Sequence, residues 1–466
     1  MLIEKSKLRG RFIEMPFAFT GMGIFRAWTE TVYSNGSISF PAQQDTGFDF
    51  AIFNLLNAAV LLALALSSSK IAPLYGKRWA SWTAASCMIL SASMNFLSIY
   101  QPGLSWLLGM PAAVFGAIGI SLILLLWSEL FGCLNPFRVT LYFSGGIVVG
   151  ALILWLFKGL ALPWLWVCTC AVPLLSLFCL KRAYALLPDN ERPHATWGER
   201  TFPWKPIAVV ALYSFSYGMC ESVFVGDLGI HSGVGCVAAA AFVYGYVCLK
   251  RDLFHLSIVC WIACPLMLLS LAPLGAVLPW GASVSGFCAL CGYTLMLIAI
   301  MVVLSNLTYQ YGFNAVWLFG IERAVRLLSV QSGLTVTAIF SGATHGYLLF
   351  CILVALMIIV ATLLFLSERH LATPWGTVLR TLEGKSYESR SRIGAKCNEL
   401  GELYGLADRE SEILLLLVQG KKQGQIAGEL YIAGSTVKTH IKHIYQKLDV
   451  HSRKDLAQLV GVDEKP

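Results

Sequence analysis

"GSTVKTHIKHIYQKL", Gly434–Leu448, lies close to the C-terminus. Val437, Ile441, Ile444 and Leu448 recur at i, i+4, i+7 and i+11, which is one face of an amphipathic helix. Lys438, Thr439, Lys442 and Gln446 fall on another face. The stretch carries Lys438, Lys442 and Lys447 and no acid. One side is made for a packed core and the other for water and phosphate. Almost everything before Leu366 has the opposite character.

The chain has 466 residues, of which 57% are hydrophobic and only 13% charged. A soluble chain carries about 25% charged residues. Mean hydropathy is +0.69. Long apolar runs account for the excess, so the class is all-α and polytopic membrane. Apolar segments near the ~20 residues a bilayer helix needs fall at about 14–33, 49–69, 79–99, 105–128, 137–158, 161–180, 206–226, 229–249, 254–274, 281–305, 315–341 and 345–366. The first is interrupted by Arg26 and Glu30, and the eleventh opens on "IERAVR" (Ile321–Arg326). If either fails, the count becomes odd. The basic N-terminus reads as leading into an uncleaved first helix.

Loop charge supports an even count. Lys and Arg concentrate on cytoplasmic loops. They occur in the N-terminal tail (Lys5, Lys7, Arg9, Arg11) and in the second–third loop (Lys70, Lys77, Arg78). They recur in the sixth–seventh loop (Lys181, Arg182, Arg192, Arg200, Lys205) and the eighth–ninth (Lys250, Arg251). Among the alternate loops, Lys158 is the exception. Both termini are therefore expected in the cytoplasm of a bacterium, at its inner membrane. The central polar loop divides the spans six and six. "GMGIFRAWTE" in the first span and "YGMCESVF" in the seventh share a Gly-Met followed by a Glu.

In its layout, the membrane part resembles the major facilitator superfamily, transporters made of two six-helix halves. That family carries Gly-x-x-x-Asp-Arg-x-Gly-Arg-Lys in the second–third loop. Here Gly76, Lys77 and Arg78 match its end, while Ser69, Pro73 and Leu74 replace the first Gly, the Asp and the Arg. The resemblance implies a gating charge network that is incomplete.

Residues 1–366 thus form the membrane domain, 367–402 a polar linker and 403–466 a small soluble domain. In the last, "LADRESEILLLLVQG" places acids in a first helical turn, where they suit the N-terminal dipole. "GQIAGELYIAG" gives a short helix and a turn, the Gly434–Leu448 helix follows, and "SRKDLAQLV" closes the domain. Residues 401–466 hold nine Lys or Arg against nine Asp or Glu. The basic face therefore belongs to one helix and not to the domain. Two short helices, a tight turn and a longer basic helix make a helix-turn-helix.

The runs Arg409–Leu414, Ile426–Leu430, Thr436–Ile444, Lys447–Val450 and Ser452–Arg453, with Gly420, are similar to the LuxR-type helix-turn-helix. The resemblance implies a four-helix domain that binds double-stranded DNA as a homodimer. It implies base-edge contacts from Lys438, Thr439 and Lys442, and backbone contacts or supports from Thr436, His440 and Lys447. Ala407, Lys422–Gln423, Gly424 and Ala433 depart from the family pattern. Several of these are capping positions, where a lost cap costs about 0.5–2 kcal/mol.

Ionisable residues inside spans are functional or paired. Arg26, Glu30 and Glu221 are candidate contacts for a small-molecule ligand, with Trp28, Tyr213 and Tyr217 as aromatic walls. The alternative is a structural charge pair. Glu322, Arg323 and Arg326 are expected at the cytoplasmic end of the eleventh span, snorkelling or meeting the linker.

The fourteen cysteines lie mostly in apolar runs and imply no disulfide framework. No catalytic or metal-ligating constellation is legible, and no cofactor is implied. The reading is a transcriptional regulator with a transporter-like sensor. The alternative is a secondary transporter with a regulatory tail.

Overall fold

The computed structural model describes residues 17–33, 38–46, 50–134, 136–187, 203–224, 233–249, 256–272, 280–311, 313–340, 344–367, 396–397, 399–401, 403–418, 423–430 and 433–460. These are helices and their connections, with no strand among the described residues. The chain divides into two compact units, one holding the membrane helices up to Glu368 except Tyr309–Tyr311, and the other those three residues and the C-terminal segment from Arg369.

In the first unit, the turn Phe17–Thr20 leads into α1 (Gly21–Val32) and a short α2 (Pro41–Thr46). Then follow α3 (Phe50–Leu66), α4 (Ser68–Ile71), α5 (Arg78–Tyr100), α6 (Ser105–Gly132), α7 (Pro136–Phe157) and α8 (Leu162–Ala185). The second half contains α9 (Trp204–Phe224), α10 (Val234–Leu249), α11 (Leu256–Leu271), α12 (Gly281–Tyr311), α13 (Ala315–Phe340) and α14 (Thr344–Ser367). Apart from the short α2 and α4, each helix occupies one apolar segment of the sequence.

Among the described residues, five helices are long and apolar enough to cross a bilayer, and four shorter apolar ones accompany them. Helix α1 has 12 residues, about 18 Å at 1.5 Å per residue. That falls short of a ~30 Å hydrocarbon core. Residues 14–16 of the predicted first span lie outside the described residues.

The outer surface matches lipid. Helix α14 exposes Leu349, Ile352, Leu356, Val360 and Leu363 at helical spacing, with Leu349 70% exposed. The opposite side buries Cys351, Val354, Ile358 and Thr362. Such a stripe fits hydrocarbon. Exposed Trp79, Trp82, Tyr100, Trp106, Trp155, Trp164, Trp204 and Trp280 lie at or near helix ends, where indole rings favour the headgroup level.

With the short α2 and α4 set aside, the packing partners repeat with an offset of six helices. Helix α1 packs on α7 and α8 as α9 packs on α13 and α14, and α5 meets α8 as α11 meets α14. Across the halves, α3 packs on α13 as α10 packs on α7. The repeat extends to single atoms. A Cβ on Gly119 of α6 would meet the Ala84 carbonyl oxygen at 3.1 Å and the Met88 nitrogen at 2.9 Å. One on Gly292 of α12 would meet the Ala263 carbonyl oxygen at 3.0 Å and the Met267 nitrogen at 3.1 Å. Small residues let helices approach closely where the lipid gives no hydrophobic drive.

The α1–α7 crossing places Gly23 against the Gly146 carbonyl, and the α9–α13 crossing places Gly218 against that of Val330. Superposing the crossings pairs Gly23 with Gly218, two residues off the Gly-Met match read from sequence. Arg26 then stands where Glu221 stands in the other half.

The second–third loop is held by a residue the sequence reading did not use. The Glu129 carboxylate accepts backbone N–H bonds from Leu74 (2.7 Å) and Tyr75 (2.8 Å). Tyr75 stacks on Tyr184 of α8, and Lys77 Nζ donates to the Ile71 carbonyl at 2.6 Å. A carboxylate on α6 thus anchors the loop that lacks its own Asp and Arg.

The second unit comprises α15 (Asp408–Val418), α16 (Gln423–Leu430), α17 (Gly434–Lys447) and α18 (Arg453–Val460). Ile413, Leu414, Leu417, Ile426, Val437, Ile444, Leu448, Val450, Leu456 and Val460 form its core. Cys397 and Leu400 are buried in the same core. The turn around them, placed in the linker by its polar composition, packs as part of this domain. Most of the remaining linker lies outside the described residues.

Candidate nucleic-acid interface

Helix α17 starts at Ala433, whose side chain has nothing to cap with, as the family departure implied. Gln423 Nε2 on α16 donates to the Gly434 carbonyl at 2.7 Å, which ties the two helices of the motif together without replacing the cap. Ala407 is likewise a poor cap for α15, but Glu410 reaches back to accept its N–H at 2.8 Å. That is one half of a capping box. Ser452 caps α18 by accepting the Asp455 N–H at 3.1 Å. At the end of α17, Val450 N–H returns to the Tyr445 carbonyl at 3.0 Å. Asp449 sits there at φ 53°, the left-handed position usually given to Gly or Asn.

These supports fix which face of α17 meets solvent. Val437 and Ile444 are fully buried, and Ser435, Thr436, Lys438, Thr439, Lys442 and Gln446 are exposed. Thr439 Oγ1 donates back to the Ser435 carbonyl at 3.1 Å. Neither Lys438 nor Lys442 has an ion pair among the described residues. Their ammonium groups are available to phosphate oxygens or base edges.

Of the two roles expected for His440 and Lys447, contact or support, both take the supporting one. Lys447 Nζ donates to Glu410 Oε2 at 2.8 Å and to the Gly405 carbonyl at 2.9 Å. It is an internal tie between α17 and α15, because the last turn of the helix lies over the start of α15. His440 is half-buried, with Nδ1 out of solvent and no hydrogen-bond partner, so it supports the helix from below. Burial works against ionisation of Glu410, but the bonds from Lys447 and Ala407 outweigh it and lower its pKa. His443 approaches the other carboxylate oxygen at 3.6 Å. Arg453 donates to the Leu417 carbonyl at 2.8 Å, a cation at a helix C-terminus.

In the membrane unit, the candidate ligand residues separate. Arg26 lies in electrostatic range of Glu30, Cys236, Tyr293 and Arg326. Tyr217 stacks on Tyr293, with centroids 4.4 Å apart. Glu221 neighbours Tyr217, and its Oε2 is buried without a hydrogen-bond partner. Trp28 is fully buried with Nε1 unpartnered. Tyr213 is placed elsewhere: its hydroxyl meets Thr362 Oγ1 at 2.9 Å, so it belongs to the packing of α9 on α14.

The largest correction concerns α13. Glu322 and Arg326 are 4% and 8% exposed, not snorkelling. Arg326 is the twelfth residue of its helix, about 17 Å along it. Tyr293 on α12, which the sequence reading missed, faces both residues. The run "IERAVR" was the available signal.

The fold and site define a polytopic helical membrane protein that ends in a helix-turn-helix domain. Residues 405–460 match the family described as "Bacterial regulatory proteins, luxR family". Two similar proteins are the "HTH-type transcriptional regulator MalT" of Yersinia enterocolitica serotype O:8 / biotype 1B and that of Cronobacter sakazakii. Each is 49% identical over 53 residues, 11% of this chain and 6% of the relative. The chain thus spans about 6% of the length of these curated relatives. A solved structure with which it aligns is "the MFS (major facilitator superfamily) proton:xylose symporter XylE bound to 6-bromo-6-deoxy-D-glucose". The TM-score is 0.49 at 13% identity, over 78% of this chain and 96% of that one.

Proposed function

We propose that this protein is a membrane-anchored one-component transcriptional regulator. The observation that carries the reading is the exposed, acid-free face of Lys438, Thr439 and Lys442 on a folded luxR-type domain. In this reading, twelve helices span the bacterial inner membrane with both termini in the cytoplasm. The membrane domain acts as a non-enzymatic sensor. A small molecule shifts the balance between two arrangements of its halves, and the change alters homodimerisation of the C-terminal domain on paired half-sites. A ligand can do this only through its differential affinity for the two states. A reporter fused to the protein's own promoter tests the reading. Lys438→Ala/Lys442→Ala must abolish regulation while leaving the amount of protein in the membrane unchanged. Unaltered regulation would refute it.

The charged residues buried between the repeats favour a second reading, a secondary transporter with a regulatory tail. Accumulation of substrate in vesicles, abolished by Glu221→Gln, would support that alternative.

A further inference from the structure

Helix α13 carries two guanidiniums against one carboxylate in a buried setting. Glu322 lies 3.3 Å from Arg326 Nε and 3.6 Å from Arg323 Nε. Among the described residues no other carboxylate reaches either arginine. Both Nε atoms are out of solvent and neither makes a hydrogen bond. A separation of 3.6 Å is too long for one. A buried N–H donor left without an acceptor is costly, so each guanidinium, although paired with Glu322, keeps one donor unsatisfied.

The opposite half supplies Arg26, and α12 and α9 of the same half as α13 supply Tyr293 and Tyr217. Arg26 on α1 is close enough to Arg326 for the two cations to repel each other. Tyr293 stands beside Arg326 and Glu322, with its ring against Tyr217. Two cations from different halves therefore converge next to a hydroxyl and an aromatic stack, with Glu30 offsetting the charge of Arg26 and the second guanidinium of α13 leaving one positive charge in excess. Among the described residues no charged group acts on Glu221, and it is not used in this arrangement.

We infer that Arg26, Arg326 and Tyr293 form a binding site for a monovalent organic anion, a carboxylate on an apolar or aromatic body. A carboxylate presents two oxygens to the planar fork of a guanidinium. The charge on α13 calls for one negative charge, not two. The Tyr217–Tyr293 stack offers the body an apolar wall. Because the arginines come from different halves, the anion replaces their repulsion with a shared contact and draws the halves together. This deepens the ligand-sensing reading and rests on it.

The test uses the full-length protein purified in detergent, with sodium benzoate and sodium butyrate as probes. Benzyl alcohol and benzylamine hydrochloride serve as neutral and cationic isosteres, and sodium chloride matches ionic strength. The carboxylates must raise Tm and the isosteres must not. Arg26→Gln and Arg326→Gln must each weaken the apparent affinity by roughly tenfold or more, the scale of one charge-assisted hydrogen bond. Arg78→Gln, which removes an arginine exposed at the start of α5, must leave the shift intact. If a Gln variant fails to accumulate, Arg326→Lys and Tyr293→Phe must still reduce the benzoate shift.

The inference is overturned if neither carboxylate shifts the wild type, if benzyl alcohol does as well, or if the shift survives every variant. A carboxylate shift with no change in promoter output would keep the site and remove the regulator reading. Promoter output that responds to other compounds, without a carboxylate shift, would do the reverse.

Discussion

Replacing Lys447 with Met separates a structural lysine from a phosphate contact. The substitution keeps an apolar stem and removes the ammonium. Two bonds go, one to the Glu410 carboxylate and one to the Gly405 carbonyl. Hydrogen bonds that involve a charged group contribute about 1.5–3 kcal/mol each. The lysine is 39% exposed, though, and Glu410 only 6%, so water competes for the ammonium end. Glu410 also keeps the Ala407 N–H. The net loss is then about 1–2 kcal/mol. In a domain of this size that lowers Tm by roughly 5–15 °C. The assay is thermal unfolding of residues 396–466, followed by circular dichroism, beside a salt titration of DNA affinity below Tm. The account predicts a lower Tm and an unchanged salt slope. An unchanged Tm with the slope smaller by about 0.9, the value of one lost phosphate contact, would refute the internal role.

Further outcomes follow from the same geometry. A fragment that begins at Gly401 omits Cys397 and Leu400, both buried in the domain core. It should lose on the order of 3 kcal/mol relative to residues 396–466, measured by urea denaturation. Asp449→Gly relieves a left-handed residue and should add about 1 kcal/mol, read as a higher urea midpoint. The lowered pKa of Glu410 means the unfolded chain takes up its proton first. Its stabilisation is therefore complete above the ordinary value of 4.5 and is lost as pH falls through and below it. Accordingly, Glu410→Gln should destabilise residues 396–466 at pH 7 and differ less from wild type as pH falls below that value. In the membrane unit, Gly23→Ala and Gly218→Ala each drive a Cβ into a facing carbonyl. Each should reduce the amount of folded protein recovered in gel filtration.

The helices were legible because lipid leaves a strong mark on sequence: each apolar segment became a helix, with ends shifted by a few residues. Their partners were not legible. A helix such as α12, apolar on every side, does not say which face meets protein and which meets lipid. Only close glycine approaches, such as those of Gly119 and Gly292, disclose it. Glu322 and Arg326 were misplaced for a related reason. Charges near the start of a span look like a membrane boundary, and only the packing of α13 against the other half shows them buried. In the soluble domain, periodicity alone identified the exposed face of α17, since water and core alternate around the helix. Whether Lys447 is a contact or a support was not legible, because a lysine in the last turn can point to DNA or fold back, and Glu410 is 37 residues away in sequence. Cys397 and Leu400 lacked a periodic run around them to announce a core.

The central claim rests on the face of α17, and the most direct measurement is binding of residues 396–466 to DNA from the protein's own locus. Wild-type and Lys438→Ala/Lys442→Ala fragments would be compared at two salt concentrations. The account predicts specific binding that weakens with salt, and a double variant that folds normally and loses it. A folded, dimerised wild-type fragment with no affinity for DNA at low salt would contradict the account.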